Sequence, residues 1–212
     1  VEEIDMNKGL LIALEGPDGS GKSTQIELLE KHFLDKGVEV IRTREPGGTK
    51  ISEKIREVIL DNDNKEMDDM CEALLYAASR AQLVSQVIKP AIEAGKVVLC
   101  DRFVYSSIVY QGIARNLGIK KIESINDAAL GGLEADFVFM ITIPYDKGID
   151  RKRSQKILDR LENGGDEFHK KVFQGYEKIS NIYDKIELIN GEDTIENIHK
   201  QIVDRVESIV KI

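Results

Sequence analysis

The stretch GPDGSGKST at residues 16–24 follows the apolar run LLIALE and opens a helical stretch, so it carries G-x-x-x-x-G-K-[ST] between a strand and a helix. That placement is what a phosphate-wrapping loop requires. Gly16, Pro17, Asp18, Gly19, Ser20, Gly21, Lys22, Ser23 and Thr24 would turn backbone N–H groups around the phosphates of a nucleotide, at the positive end of the helix that starts near Lys22. Lys22 would then bridge the β- and γ-phosphates, and Ser23 would offer its hydroxyl to Mg²⁺. The run KVVLCD supplies a companion carboxylate, Asp101, at a second strand end. It is either a metal partner or the cap of the following helix.

Nucleotide binding alone leaves a phosphotransferase, a GTPase switch and a regulatory ATPase open. A GTPase should carry N-K-x-D after a late strand, but the N-K pairs here are Asn7-Lys8, ahead of the first strand, and Asn64-Lys65, followed by Glu66-Met67. A small-molecule kinase instead needs a second anion site and a cationic lid that keeps water from the transferring group. Arg56, Arg80 and Arg102 suit the former, because forked guanidinium donors match phosphate oxygens. For the latter, DRKRSQKILDRLENGGDE contains Arg151, Arg153, Lys156 and Arg160. On one helix 153, 156 and 160 share a face, with Gly164 and Gly165 as a hinge; a solvated basic face is the alternative.

Five short runs read as the strands that must position these residues: 10–15, 38–43, 96–100, 137–143 and 185–190. Helical stretches alternate with them at 22–36, 52–61, 66–94, 104–117, 122–131, 146–162, 166–183 and 194–211. Unbroken apolar strands alternating with helices predict a doubly wound α/β fold, a parallel sheet covered on both faces. Ligands then gather at the carboxyl ends of the strands. No linker divides the 212 residues, so a single domain is expected over 1–212. The net charge of −8 argues against nucleic acid as a partner. Cys71 and Cys100 lack C-x-x-C spacing and His32, His169 and His199 fall in no metal-ligand pattern, which argues against zinc and redox chemistry. Without a signal peptide or a long apolar run, no membrane association and a cytoplasmic location are expected.

With these residues in view the chain resembles the thymidylate kinases, which phosphorylate dTMP to dTDP with ATP. The resemblance rests on GPDGSGKST (16–24), TREPGGT (43–49), LLYAASRAQ (74–82), DRFVYSSIVYQG (101–112) and DRLE (159–162). It implies a five-stranded parallel sheet, Mg²⁺ beside Ser23 and Asp101, a lid at about 146–165 and a homodimer built from helices packed side by side. Residue by residue it implies that Asp18 meets the nucleoside 3′-hydroxyl and helps place the acceptor phosphate, and that Arg44 and Pro46 line the acceptor pocket. Arg56 and Arg80 would orient the acceptor phosphate, and Arg102 would bridge it to the donor. Tyr76 stands where an aromatic ring, usually phenylalanine, stacks on thymine. Ser106, Ser107 and Gln111 would hydrogen-bond the base, and Tyr110 would pack under the sugar. The chain has Gly19 in the loop and arginines in the lid, which resembles the lid-cation type. There Arg153, Lys156 and Arg160 are the candidates for the γ-phosphate and Arg151 for the adenine face. The lid departs from the R-x-R-x-R frequent in that type, with Gln155 at the third position.

Overall fold

The computed structural model describes residues 8–152 and 159–210. Five strands form one sheet: β1 (Leu10–Glu15), β2 (Val40–Arg44), β3 (Val97–Asp101), β4 (Phe137–Thr142) and β5 (Ile186–Asn190). All pairings are parallel and the spatial order is β2-β3-β1-β4-β5. This is the expected doubly wound α/β sheet. The chain winds to one side of β1 first and to the other side afterwards, so the loops leaving β1 and β3 diverge and open a crevice. The register sets Leu14 opposite both Asp101 and Phe139, and it is at this level that the site is built.

β1 is buried throughout, and its successive side chains enter opposite layers, as the pleat requires. Leu10, Ile12 and Leu14 pack with Leu29, Phe33 and Ile202 from α1 (Lys22–Asp35) and α9 (Ile195–Glu207). Leu11 and Ala13 pack on the other face with Leu83, Ile88 and Ile92. A third cluster, with Ile59, Val109, Val172, Tyr176 and Ile179, joins α2 (Lys50–Leu60) and α8 (Gly165–Ser180) beside the strand ends.

Three of the expected helices are divided. The stretch 66–94 forms α3 (Asp69–Leu83), a π-helical turn at Val84–Ile88 and α4 (Lys89–Glu93). Pro90 lacks an N–H and its ring crowds the preceding turn, and the wider π turn just before it accommodates both. The stretch 104–117 forms α5 (Val104–Ser107) followed by a π-helical segment, Ile108–Ala114. Beyond α6 (Ile119–Leu130), the stretch 146–162 does not form one helix. Its described part is α7 (Tyr145–Lys152) and then a turn from Asp159. There Asp159 Oδ1 accepts from the N–H groups of Leu161 and Glu162, both at 2.9 Å. Such a side-chain turn competes with a continuing helix. Arg153 and Lys156, two of the three residues expected to share a helix face, lie outside the described residues. Among those described, no helix is long and apolar enough to cross a membrane.

Asp68 caps α3 by accepting from Met70 N at 2.8 Å and Cys71 N at 3.4 Å. Asp68→Ala should lower unfolding stability by about 1 kcal/mol in a denaturant titration. A change below a few tenths would show that the cap contributes nothing.

Candidate active site

The loop after β1 leaves the sheet through a gap that only glycine passes. Gly16 has φ +136°, and a Cβ there would stand 2.1 Å from the Ile141 carbonyl oxygen. Lys22, buried at the start of α1, donates from Nζ to the Gly16 and Pro17 carbonyls, each at 3.0 Å. Burial first, and Arg102 second, push its ammonium down to about 8, so an incoming anion would be strongly welcomed. Ser23 Oγ donates to Asp101 Oδ2 at 3.2 Å. Two hard oxygens thus meet beside the loop. No group of three or more His, Cys, Asp or Glu able to hold a metal exists among the described residues, but Mg²⁺ bound with substrate phosphates needs only one or two protein oxygens. The pair fits Mg²⁺.

The helix α7 lies directly on this loop. A Cβ at Gly19 would come within 2.7 Å of the Gly148 carbonyl oxygen, and φ there is +77°. One at Gly148 would stand 2.5 Å from Phe173 Cζ. Arg151 adds a hydrogen bond from Nη1 to the Gly19 carbonyl at 3.1 Å. Glycine at both positions lets the two backbones touch, which gives a physical reason for the loop to carry no side-chain cation at 19. Residues 18–25 line a pocket together with Asp101, Arg102, Arg151 and Glu162; its far end is closed by Gly191, Asp193, Ile195 and Ile198 after β5.

A second pocket adjoins the first, and Asp18, Arg102 and Glu162 line both. Arg102 has φ +66°, a region that costs a non-glycine residue about 1–2 kcal/mol. From there its guanidinium reaches four partners. Nη1 donates to the Gly16 carbonyl at 2.9 Å, the Tyr176 hydroxyl at 2.8 Å and Ser106 Oγ at 3.2 Å, and Nη2 donates to Asp18. It also lies over the Tyr110 ring, 5.4 Å from its centre. Behind it Glu15, fully buried at the end of β1, accepts from Phe103 N at 2.9 Å, Ser106 N at 3.2 Å and Ser106 Oγ. Burial raises the Glu15 carboxyl, while Ser106 and Arg102 act against that rise.

Pro46, Arg56, Tyr76, Arg80, Ser106, Ser107, Tyr110 and Gln111 line the second pocket. Arg56 donates to the Pro46 carbonyl at 3.0 Å; burial, then Arg44, lowers its affinity for its proton. Gln111 donates from Nε2 to Glu72 at 3.0 Å, while its buried Oε1 has no partner.

Four of the expected residues have their side chains engaged by other protein groups. Arg44 does not line the pocket; it forks outward onto both oxygens of Glu53, at 2.9 and 3.0 Å, and is 47% exposed. Ser106 lines the pocket, but its hydroxyl is already held between Glu15, Tyr176 and Arg102. Arg80 is 1% exposed, and its guanidinium is engaged by Glu45, Asn126, the Phe103 carbonyl and Ser107. That leaves Arg56 and Arg102 as the pocket's cations for a phosphate. Arg160, expected on the lid face, instead points away from both pockets, donating from Nε to the Ile59 carbonyl at 2.7 Å and from Nη2 to Glu72 at 2.6 Å.

Sequence reasoning missed Glu15, Glu72 and Tyr176. Glu15 had a legible signal, a carboxylate ending a wholly apolar run. Tyr176 had none, because its position in α8 matches a core residue.

A loop that can wrap two phosphates, an adjoining anion pocket and one arginine facing both define a P-loop nucleoside monophosphate kinase, a phosphotransferase. The comparisons agree. The family model for thymidylate kinase matches residues 14–202. A thymidylate kinase of Finegoldia magna is 45% identical over 195 residues, covering 92% of this chain and 96% of its own. One from Thermosipho africanus is 47% identical over 198 residues, covering 93% and 98%. One from Clostridium novyi is 44% identical over 200 residues, covering 93% and 98%. The chain belongs to the thymidylate kinase family.

Gly148→Val should separate α7 from the loop. An increase of at least about 5-fold in KM for ATP is expected, the scale of roughly 1 kcal/mol of lost complementarity, with KM for dTMP little changed. Equal ATP affinity in the variant and the parent would show that this contact does not shape the donor site.

Proposed function

We propose that residues 16–24 hold the β- and γ-phosphates of ATP and that the second pocket holds dTMP, with Arg102 placed between the two phosphate chains. The observation that carries this reading is that Arg102 and Asp18 line both pockets. The dTMP phosphate would lie against Arg56 and Arg102, its sugar beside Tyr110 and Asp18, and its base between Tyr76 and the floor formed by Arg80, Ser107 and Gln111. Asp18, already an acceptor for Arg102, would take the 3′-hydroxyl as a second donor. Ile195 and Ile198 offer the adenine an apolar bed, with Arg151 on the opposite side.

The reaction is an in-line transfer. A dTMP phosphate oxygen attacks the γ-phosphorus, and the bond to the β-bridging oxygen breaks as ADP leaves. The acceptor oxygen is ionised near neutral pH, so no strong general base is required. The protein's work is positioning and charge neutralisation. Ser23 and Asp101 would hold Mg²⁺, which when bound neutralises charge on the β- and γ-phosphates. Lys22 and Arg102 present fixed cations where charge grows. Arg153 is the proposed lid cation in place of Arg160.

The reading also takes 1–212 as one domain, working in the cytoplasm as a homodimer. Ile51 and Val58 on α2 and Leu74 on α3 are 51%, 46% and 51% exposed, which supports the two helices packing side by side against a second copy. A sedimentation experiment should give twice the mass of 23.8 kDa; a monomer at micromolar concentration would remove the dimer.

Lys22→Ala should lower kcat/KM by about 3 kcal/mol or more, the scale of one preorganised donor. Near-normal turnover of dTMP in that variant would sink the assignment of the loop. Arg56→Ala should raise KM for dTMP by about 10-fold or more, whereas Arg44→Ala, removing an exposed ion pair, should change it by less than about 3-fold. The reverse order would return Arg44 to the pocket.

A further inference from the structure

Glu72 lies on α3 with its side chain fully buried, and three side chains from elsewhere in the chain converge on it. Gln111 donates to Oε1 at 3.0 Å. Arg115 donates from Nε to Oε1 at 3.3 Å and from Nη2 to Oε2 at 3.1 Å. Arg160 donates to Oε2 from Nη2 at 2.6 Å. Both guanidiniums also have other partners: Asp69 for Arg115 at 3.4 Å and the Ile59 carbonyl for Arg160 at 2.7 Å. The phosphoryl transfer itself uses none of these contacts.

Both Glu72 oxygens accept from guanidinium N–H groups, and a carboxylate so engaged offers its neighbours only acceptors. That decides the orientation of the Gln111 amide, whose two ends are otherwise nearly equivalent in shape. The NH2 must face Glu72, since the opposite orientation would set a carbonyl oxygen against a carboxylate oxygen. The carbonyl is thereby turned away from Glu72. It is buried, without a partner, on a side chain that lines the acceptor pocket. An acceptor fixed there pairs with a ring N–H and opposes a ring nitrogen lone pair. Thymine and uracil carry a hydrogen on N3, while cytosine presents a bare acceptor.

We propose that Glu72 is a specificity-determining positioning residue: by locking the Gln111 amide, it makes the pocket accept N3–H pyrimidines and reject cytosine. The inference rests on the reading above that Gln111 meets the base. Glu72 contacts no substrate. It selects among substrates because it is an obligate acceptor, a property that glutamine at 72 would lack. An amide at 72 can donate as well as accept, and Gln111 could then turn.

The test is the ratio of kcat/KM for dTMP to that for dCMP, which does not depend on the fraction of enzyme folded. In Glu72→Gln the ratio should fall at least about 10-fold, the size of one mispaired buried group, mainly through KM for dTMP. Gln111→Glu alone sets two carboxylates face to face and should lose dTMP turnover. Adding Glu72→Gln to it restores a donor–acceptor pair between the two positions with the roles exchanged, still leaving residue 111 an acceptor for the base, and should recover dTMP kcat/KM at least 10-fold. This second arm decides the question if Glu72→Gln alone does not fold; equal activity with either residue at 72 would overturn the proposal. Gln111→Leu separates the two layers of the argument. If it collapses the ratio while folded Glu72→Gln leaves it intact, Glu72 has no such role and Gln111 still meets the base. If it leaves the ratio unchanged, Gln111 does not read the base and the proposal falls with that reading.

Discussion

In the proposed reaction Arg102 serves two phosphates at once, which a guanidinium does only if it cannot turn toward either, and immobilising it is the constraint on which the rest of the site depends. Arginine carries a large rotamer entropy, so holding it requires contacts on several sides. Asp18 and the Gly16 carbonyl meet it from the phosphate loop, Tyr176 from α8 and Ser106 from α5. The four partners come from three different elements of the fold. The backbone is held as firmly, since Arg102 N donates to the Leu14 carbonyl at 2.9 Å and its φ of +66° is tolerated only under such over-determination.

That arrangement needs a buried carboxylate. Glu15 closes the turn after Arg102 by accepting from Phe103 N, Ser106 N and Ser106 Oγ. Taking an anion out of water is costly, and an unpaired one would be untenable. Three hydrogen bonds and the nearby Arg102 charge offset the cost. A similar pattern recurs at Glu72, which faces Arg115, Arg160 and Gln111, and at Glu45, which faces Arg80. Buried ion pairs therefore stand in and behind a lining that also includes Leu60, Phe103 and Leu161. Such pairs contribute little net stability but fix which way a donor or acceptor points, and positioning is what phosphoryl transfer asks of a protein.

The fold was legible in the sequence because strands and loop announce themselves locally. LLIALE, KVVLC and FVFMITI are unbroken apolar runs, as two-sided burial in a parallel sheet requires, and the phosphate loop is a contiguous motif. The helix divisions were harder to see. Periodicity at 66–94 carries no mark of a π turn except Pro90, and the Asp159 turn interrupts a stretch whose charges suggest a continuous amphipathic face. Side-chain direction was the least legible property. Arg44 and Arg56 both stand near strand β2, yet one forks onto Glu53 and the other enters the pocket, and only the packing of α2 decides between them. Arg160 was misread for the same reason: a cation's spacing along the chain says nothing about the buried carboxylate 88 residues away that claims it.

The central claim is that Arg102 acts on both substrates together. Its most direct test is the binding of a ligand in which adenosine and thymidine are joined through a chain of five phosphates, compared between the parent enzyme and Arg102→Lys. Lysine keeps the charge but loses the fork that spans two anions. The account predicts that the joined ligand weakens by about 100-fold, while ATP and dTMP measured separately each weaken by less than about 10-fold. If the joined ligand weakens no more than one of the separate substrates, with the other unaffected, Arg102 belongs to a single pocket and the bridging account is wrong.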